Sequence, residues 1–254
     1  MIDIHCHILP KLDDGAANME DALQMAAQAV EQGIDTIITT PHHMNSRNVN
    51  PRSLVSENVQ KLNRVFQEEN IDLTLIPGQE VRIHGEILEG IENGDIQGLG
   101  NSNYLLIEFP SNNVPRYTEK LFYDLQLKGF IPIVAHPERN QQLIERPELL
   151  YNLVKNGALS QITAASVAGK FGKKIRKFTL QLIEANLTHF LASDAHNTTS
   201  RGFVMGEAYN TIQSEYGMDM VYLLKENAEL LLEGKQVIRE IPEMIKQKKF
   251  LGLF

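Results

Sequence analysis

The chain has one cysteine, Cys6, in 254 residues. No disulfide framework can form from it, and a reducing compartment is the simpler setting. No run approaches the roughly 18 consecutive apolar residues of a membrane span. The first residues show no basic segment followed by an apolar one, so no signal peptide is expected. Positive charge is in deficit: 24 Lys and Arg against 32 Asp and Glu give a formal net charge of −8. Aromatic residues make up only 7%, and no basic, aromatic-rich strip runs along the chain. Both facts argue against a protein that coats nucleic acid. Linker-like and low-complexity stretches are missing too, so the expectation is a single domain over residues 1–254, soluble and cytoplasmic. The 43% apolar content is enough for a sizeable core.

What is present is alternation. Short apolar or β-branched runs at 2–4, 34–39, 73–76, 104–107, 131–135, 159–163 and 189–192 read as strands. Helical spacing fills the gaps. Asn18 can cap the first helix, with Asp21 three residues on; Ala22, Met25, Ala26 and Ala29 share one face, and Gly33 ends it. Further helices are expected from about 51 to 66 and over 85–93, 118–128, 143–155, 173–185, 204–215 and 218–232. The final helix and tail, about 218–254, are expected to pack on the rest. This order predicts an α/β fold with a parallel sheet.

The polar residues follow the strands. Asp3-Ile4-His5-Cys6-His7 continues the first run, and alternation along a strand points His5 and His7 to one side, as a chelate for a divalent ion requires. His42 follows the second strand, Glu80 the third, Glu108 the fourth, His136 the fifth, and Asp194 and His196 the seventh. In parallel α/β folds functional groups gather at the carboxyl ends of strands. A closed barrel brings those ends to one rim, whereas an open sheet spreads them along an edge. The distribution therefore predicts a seven-stranded barrel around a metal centre. Imidazoles and carboxylates without thiolates suit Mn, Fe or Zn. The donors exceed the needs of one ion, and Glu80 and Glu108 could each bridge two. Arg139 and Arg201 lie on loops leaving the same rim, where a guanidinium fork fits phosphate oxygens. Arg116, on the segment 111–117 beyond the fourth strand, could touch a substrate peptide. The basic run Lys170, Lys173, Lys174, Arg176 and Lys177 reads as a solvated face, with attraction of an acidic partner as the alternative.

The blocks DIHCHILPKLDDG, TPHH, GQEVRI, LIEFP, AHPERN and SDAHN resemble the signatures of the polymerase and histidinol phosphatase (PHP) superfamily. Over essentially the whole chain they are similar to its bacterial manganese-dependent protein-tyrosine phosphatases of capsule and exopolysaccharide operons. The resemblance implies a single-domain, distorted (β/α)7 TIM-like barrel holding roughly three Mn2+ ions; Fe, Zn or Mg could replace them in isolated protein. It implies the metal ligands His5, His7, Asp14, His42, Glu80, Glu108, His136, Asp194 and His196, with Asp13 competing for the place given to Asp14. It also implies hydrolysis of phosphotyrosine on the tyrosine-rich tail of a cognate bacterial kinase, and regulation of exopolysaccharide or capsule synthesis. Water acidified by the ions would attack phosphorus, Arg139 and Arg201 would neutralise the phosphoryl oxygens, and His42 or His196 would supply a proton.

Homo-oligomers occur among such proteins; the sequence fixes no number. His43 is expected beside the site or on a loop, His84 exposed, and His189 packed in the seventh strand. A cysteine-dependent phosphatase needs an arginine on the nucleophile's own phosphate-cradling loop. The corresponding position is Leu12, so Cys6 is expected in the core. The rival readings are a histidinol-phosphate phosphatase or another PHP phosphoesterase, a PHP nuclease, and a metal-stabilised PHP module without activity.

Overall fold

The computed structural model describes residues 1–245; the lysine and phenylalanine cluster of the tail, 246–254, lies outside the described residues. The described strands are β1 (Ile2–Cys6), β2 (Thr36–Thr39), β3 (His42–His43), β4 (Thr74–Pro77), β5 (Glu80–Arg82), β6 (Tyr104–Glu108), β7 (Ile131–Ala135), β8 (Leu159–Thr163) and β9 (Phe190–Ala192). The helices are α1 (Met19–Glu31), α2 (Arg52–Glu68), α3 (Ile87–Glu92), α4 (Thr118–Leu127), α5 (Gln141–Glu145), α6 (Glu148–Lys155), α7 (Ala164–Val167), α8 (Lys173–Glu184), α9 (Met205–Tyr216) and α10 (Met218–Leu232). Every strand pairing is parallel. The strands form two sheets, ordered β1-β2-β4 and β3-β5-β6-β7-β8-β9. The second sheet ends beside the first: Cys6 forms a parallel bridge with Ala195. There the Asp194 amide donates to the His5 carbonyl at 2.8 Å, and the His7 amide to the Ala195 carbonyl at 2.9 Å.

The second and third predicted strands are present as β2 and β4, but each is followed after a gap of two residues by a further short strand, β3 or β5, in the other sheet, and the gaps have local causes. Pro41 has no amide to give to a ladder, although its carbonyl accepts from Glu80 at 3.2 Å. Gly78 lies so close to its neighbour that a Cβ there would stand 2.8 Å from Ile38 Cγ2 and 3.1 Å from the Thr39 carbonyl. Both chains cross between sheets at this level. His42 and Glu80 consequently sit in the short strands β3 and β5, opposite each other in register, rather than on loops as the sequence suggested. The predicted helix over 143–155 is likewise two helices, parted at Pro147.

Strand residues are buried on two faces. One face carries Ile37, Leu105, Ile107 and Val134 into a core shared with Met25, Leu62, Phe66 and Leu182 of the surrounding helices. The other carries Ile4, Ile38, Leu106, Ile133, Leu159 and Phe190 into a second core, covered by Ala228 and Leu231 of α10. Near-continuous Val/Ile/Leu runs are what a parallel sheet covered on both sides requires. Just past α10 the chain is fastened down: the Tyr104 hydroxyl donates to the Lys235 carbonyl at 2.8 Å, and Asn227 Nδ2 donates to the carbonyls of His189 and Ile238, each at 3.1 Å. At the start, Asn18 Oδ1 accepts from the Asp21 amide as expected, and Asp21 reaches back to the Ala17 amide. Among the described residues, no helix is long and apolar enough to cross a membrane.

Candidate metal centre

Parallel strands place their carboxyl ends at one level, and the histidines and acids singled out above meet there. At the floor, His5 Nε2 and His7 Nε2 are 3.1 Å apart. Asp194 Oδ1 stands 3.3 Å from the first and 3.4 Å from the second. Glu80 Oε2 stands 3.5 and 3.4 Å from the same two atoms. His5, His7 and Glu80 thus present three donor atoms within 3.5 Å of one another, close enough to share one cation, with Asp194 against the same two imidazoles. On one flank, Glu80 also meets His136 Nε2 at 2.8 Å and His42 Nδ1 at 2.8 Å, while Glu108 Oε2 lies 3.7 Å from His42 Nδ1. On the other flank, Asp14 Oδ1 lies 3.4 Å from both His42 Nε2 and His196 Nε2. Three overlapping groups can each hold a cation: His5, His7 and Glu80; His42, Glu80 and Glu108; and His7, Asp14, His42 and His196.

The outer ring nitrogens are held, which aims the inner ones. His5 Nδ1 meets Gln161 Oε1 at 2.8 Å, His7 Nδ1 meets Asp13 Oδ2 at 2.7 Å, and His196 Nδ1 meets the Asp194 carbonyl at 3.0 Å. Asp13 and Asp14 thus face opposite ways. Asp13 is bound to His7 and to the amides of His42 and Gly15, both at 2.9 Å, and Asp14 faces the imidazoles of His42 and His196. Gly15 makes this loop possible, since a Cβ there would lie 2.0 Å from the His7 carbonyl. His136 and Asp194 adopt the left-handed region, at φ 33° and 52°. Non-glycine residues pay for that conformation, and they occur most often where a side chain must be aimed.

The electrostatics fit a cation. Asp194 Oδ1 and His196 Nε2 are buried and make no hydrogen bond, and neither do His42 Nδ1, Glu80 Oε2 and Glu108 Oε2, whose close partners are charged groups rather than well-aligned donors. Such atoms are costly unless something else satisfies them. Burial opposes charge on His5, His7 and His42, yet the neighbouring carboxylates outweigh it and raise all three, His42 to about 10. Burial together with Arg139 pushes His136 down to about 4, and burial together with His7 does the same to His196. Burial would raise Glu80, but the histidines around it hold it well below the usual carboxylate range. Burial and the nearby Glu80 charge push Glu108 up to about 7. The donor set is therefore an anionic pocket that, left to itself, holds protons where a cation would displace them.

A cavity of about 380 Å³ opens above the cluster, lined by Asp14, His42, Glu80, Glu108, His136, Arg139, Asp194 and Arg201 among others. Arg139 Nη2 and Arg201 Nη2 both contact Asp194 Oδ2, at 2.6 and 3.1 Å. Arg116 is exposed and lies outside this lining. His43 is buried, and His189 packs immediately before β9. His84 differs from expectation: its side chain is only 19% exposed, beside Glu86. Cys6 is fully buried, with Sγ 3.6 Å from the Ala195 carbonyl, and burial pushes its thiol up, away from nucleophilic use.

Several contributors were not singled out from sequence. Gln161 orients His5, and its polar side chain inside a buried strand was a usable signal. Arg82, two residues after Glu80 and so on the same strand face, pairs with Glu108 Oε2 at 2.9 Å and donates to the Phe109 carbonyl at 3.0 Å. Glu138 anchors the turn that carries Arg139 by accepting from the Thr163 amide and the hydroxyls of Thr163 and Ser166. Asp3 ties β1 to the end of β9 through the amide and hydroxyl of Ser193.

Comparison with known proteins agrees with this arrangement. Residues 1–233 match the family model described as capsular polysaccharide synthesis, CpsB/CapC. The tyrosine-protein phosphatase YwqE of Bacillus subtilis is 51% identical over 254 residues, covering all of both chains. The tyrosine-protein phosphatase CpsB of Streptococcus pneumoniae is 32% identical over 222 residues, 85% of this chain and 91% of that protein. A crystal structure from a set described as YwqE and CpsB, unique metal-dependent tyrosine phosphatases, has a TM-score of 0.96 at 51% identity, covering 97% of this chain and all of that one. With its donor cluster and full-length likeness, this chain belongs to the CpsB/CapC family of capsular polysaccharide synthesis proteins.

Proposed function

We propose that the protein is a metal-dependent protein-tyrosine phosphatase that acts on a phosphotyrosine-bearing protein, the tyrosine-rich tail of a cognate bacterial kinase, in the control of capsule or exopolysaccharide synthesis. The observation that carries the reading is Asp194, whose one oxygen faces the floor histidines while the other meets both arginines. A cation site and a phosphate clamp thus share one residue. Relatives named as tyrosine-protein phosphatases, at up to 51% identity, support the substrate. We assign His5, His7, Asp14, His42, Glu80, Glu108, His136, Asp194 and His196 as ligands of Mn2+, and the three overlapping donor groups support a cluster of three ions. The hydrogen bonds between β1 and the end of β9 support a single domain built on a distorted seven-stranded, TIM-like barrel. A cytoplasmic location goes with the substrate and with the unpaired thiol of Cys6.

Bound cations supply an acidified water and neutralise charge on the phosphoryl group. The remaining tasks fall to the chain. Arg139 and Arg201 exchange part of their contact with Asp194 for the non-bridging oxygens and hold the phosphorus for in-line attack. The phenolate leaves readily, because its conjugate acid has a pKa of about 10. His42 and His196, the proton donors expected from sequence, turn their Nε2 atoms toward Asp14 in the cation group, so they serve first as ligands, and a phenolate needs little help from an acid. Cys6 takes no part. The test compares Mn-supplemented and chelated protein on a phosphotyrosyl peptide, histidinol phosphate and single-stranded DNA. Turnover of the peptide alone, abolished by chelator, is expected. Preference for histidinol phosphate would overturn the substrate, and activity that survives full removal of metal would overturn the mechanism.

A further inference from the structure

The stretch Lys170-Phe171-Gly172-Lys173-Lys174-Ile175-Arg176-Lys177 has five basic residues and no acid, in a chain of net charge −8. The catalytic reading does not use it. Yet it starts beside the mouth of the site: the short helix α7 leaves the carboxyl end of β8, the turn before α8 follows it, and the Arg139 guanidinium stands 5.5 Å over the Phe171 ring. Two of the five charges are committed. Lys170 pairs with Glu207 at 2.8 Å. Arg176 donates to the Val167 carbonyl at 3.2 Å, reaches Glu215 at 3.9 Å, and packs where a Cβ on Gly169 would be. Lys173, Lys174 and Lys177 are exposed, and among the described residues they make no ion pair and no hydrogen bond.

Lys173 and Lys174 open α8, whose first turn has no acidic residue. Cations there oppose the helix dipole, so the helix itself gains nothing from them. Lys173 and Lys177 border a groove of about 330 Å³ with Arg176, Leu180, Gln181 and a single acid, Glu184, and Lys174 lies outside its lining. We propose that this face docks acidic residues flanking the phosphotyrosine of the substrate, with Lys173, Lys174 and Lys177 as specificity determinants. The proposal rests on the phosphotyrosine reading above. Phe171, under the Arg139 guanidinium at 5.5 Å, joins the site mouth to α8, and an extended peptide advances about 3.3–3.6 Å per residue, so a flank leaving the mouth on this side meets Phe171 before the lysines. A solvated, three-charge contact of this kind acts on encounter and KM, and salt weakens it.

The experiment uses metal-loaded full-length protein and matched phosphotyrosyl peptides whose flank is acidic, neutral or basic. In the unaltered protein the acidic flank should raise kcat/KM over the neutral one by roughly three- to tenfold, through KM, and the gain should shrink in 0.5 M salt. The variant Lys173→Gln/Lys174→Gln/Lys177→Gln should lose that preference while hydrolysing p-nitrophenyl phosphate as before. Replacing the same three lysines by Glu should turn the preference toward the basic flank, which a merely structural role would not do. Equal preference in all proteins, or none in the unaltered one, would overturn the proposal. No turnover of any phosphotyrosyl peptide or aryl phosphate with metal present would instead defeat the phosphotyrosine reading, and the proposal with it.

Discussion

The two depths of the site are built differently. On the floor, the side chains of His5, His7 and Glu80 are 0% exposed and that of Asp194 is 2% exposed. They come from strands or the residues just after them; Gln161 of β8 holds His5, and Asp13 holds His7 from the loop that follows β1. At the mouth, the side chain of Asp14 is 63% exposed and that of Arg201 is 31% exposed; both come from loops, and they meet only at 3.7 Å. Rigid elements hold a donor set within tenths of an ångström, and loops do not. The comparison suggests a division of labour, in which the floor secures cation binding and the mouth handles the phosphoryl group and the rest of the substrate.

Asp194 belongs to both depths, so Asp194→Ala carries the largest expected effect. Turnover should fall by more than about 10³-fold, with metal lost as well; metal analysis by mass spectrometry alongside the rate decides it, and full metal with a normal rate would erase the division. Arg139→Ala comes next, with a fall in kcat of about 10²–10³-fold and the metal content unchanged. Loss of metal from this variant would mean that Arg139 supports the floor. Asp14→Ala should cost less, roughly 10–100-fold, and should release cation only from the His42–His196 side while the floor keeps its own; titration of metal stoichiometry measures this. Cys6→Ser should be smallest, with turnover near that of the unaltered protein and about 1 kcal/mol of stability lost in a denaturant melt. Inactivation of that variant without unfolding would reopen a role for the thiol.

The strand runs were legible because β-branched residues buried on two faces leave little choice of element. The meeting of the histidines and acids was legible because parallel strands all point their carboxyl ends one way. What could not be read was anything that depends on a partner from a distant strand. Gln161 matters because β8 passes beside His5, and Arg82 because β5 lies in register with Glu108. The breaks at Pro41 and Gly78 read locally as strand ends, since only the neighbouring backbone shows that pairing resumes two residues later in the other sheet. Proline at 147 could have divided the predicted helix, but the apolar spacing on either side masked it. Which of Asp13 and Asp14 faces His42 and His196 depended on how a tight loop turns, and the close approach of Gly15 to the His7 carbonyl, which shapes that loop, is not displayed by the sequence.

The backbone at His136 and Asp194 has a consequence for how this protein can evolve or be engineered. Both residues hold angles that glycine would adopt freely. A screen that rewarded heat resistance alone would drift toward glycine at the two places where an imidazole and a carboxylate are needed, and would return a sturdier but inert protein.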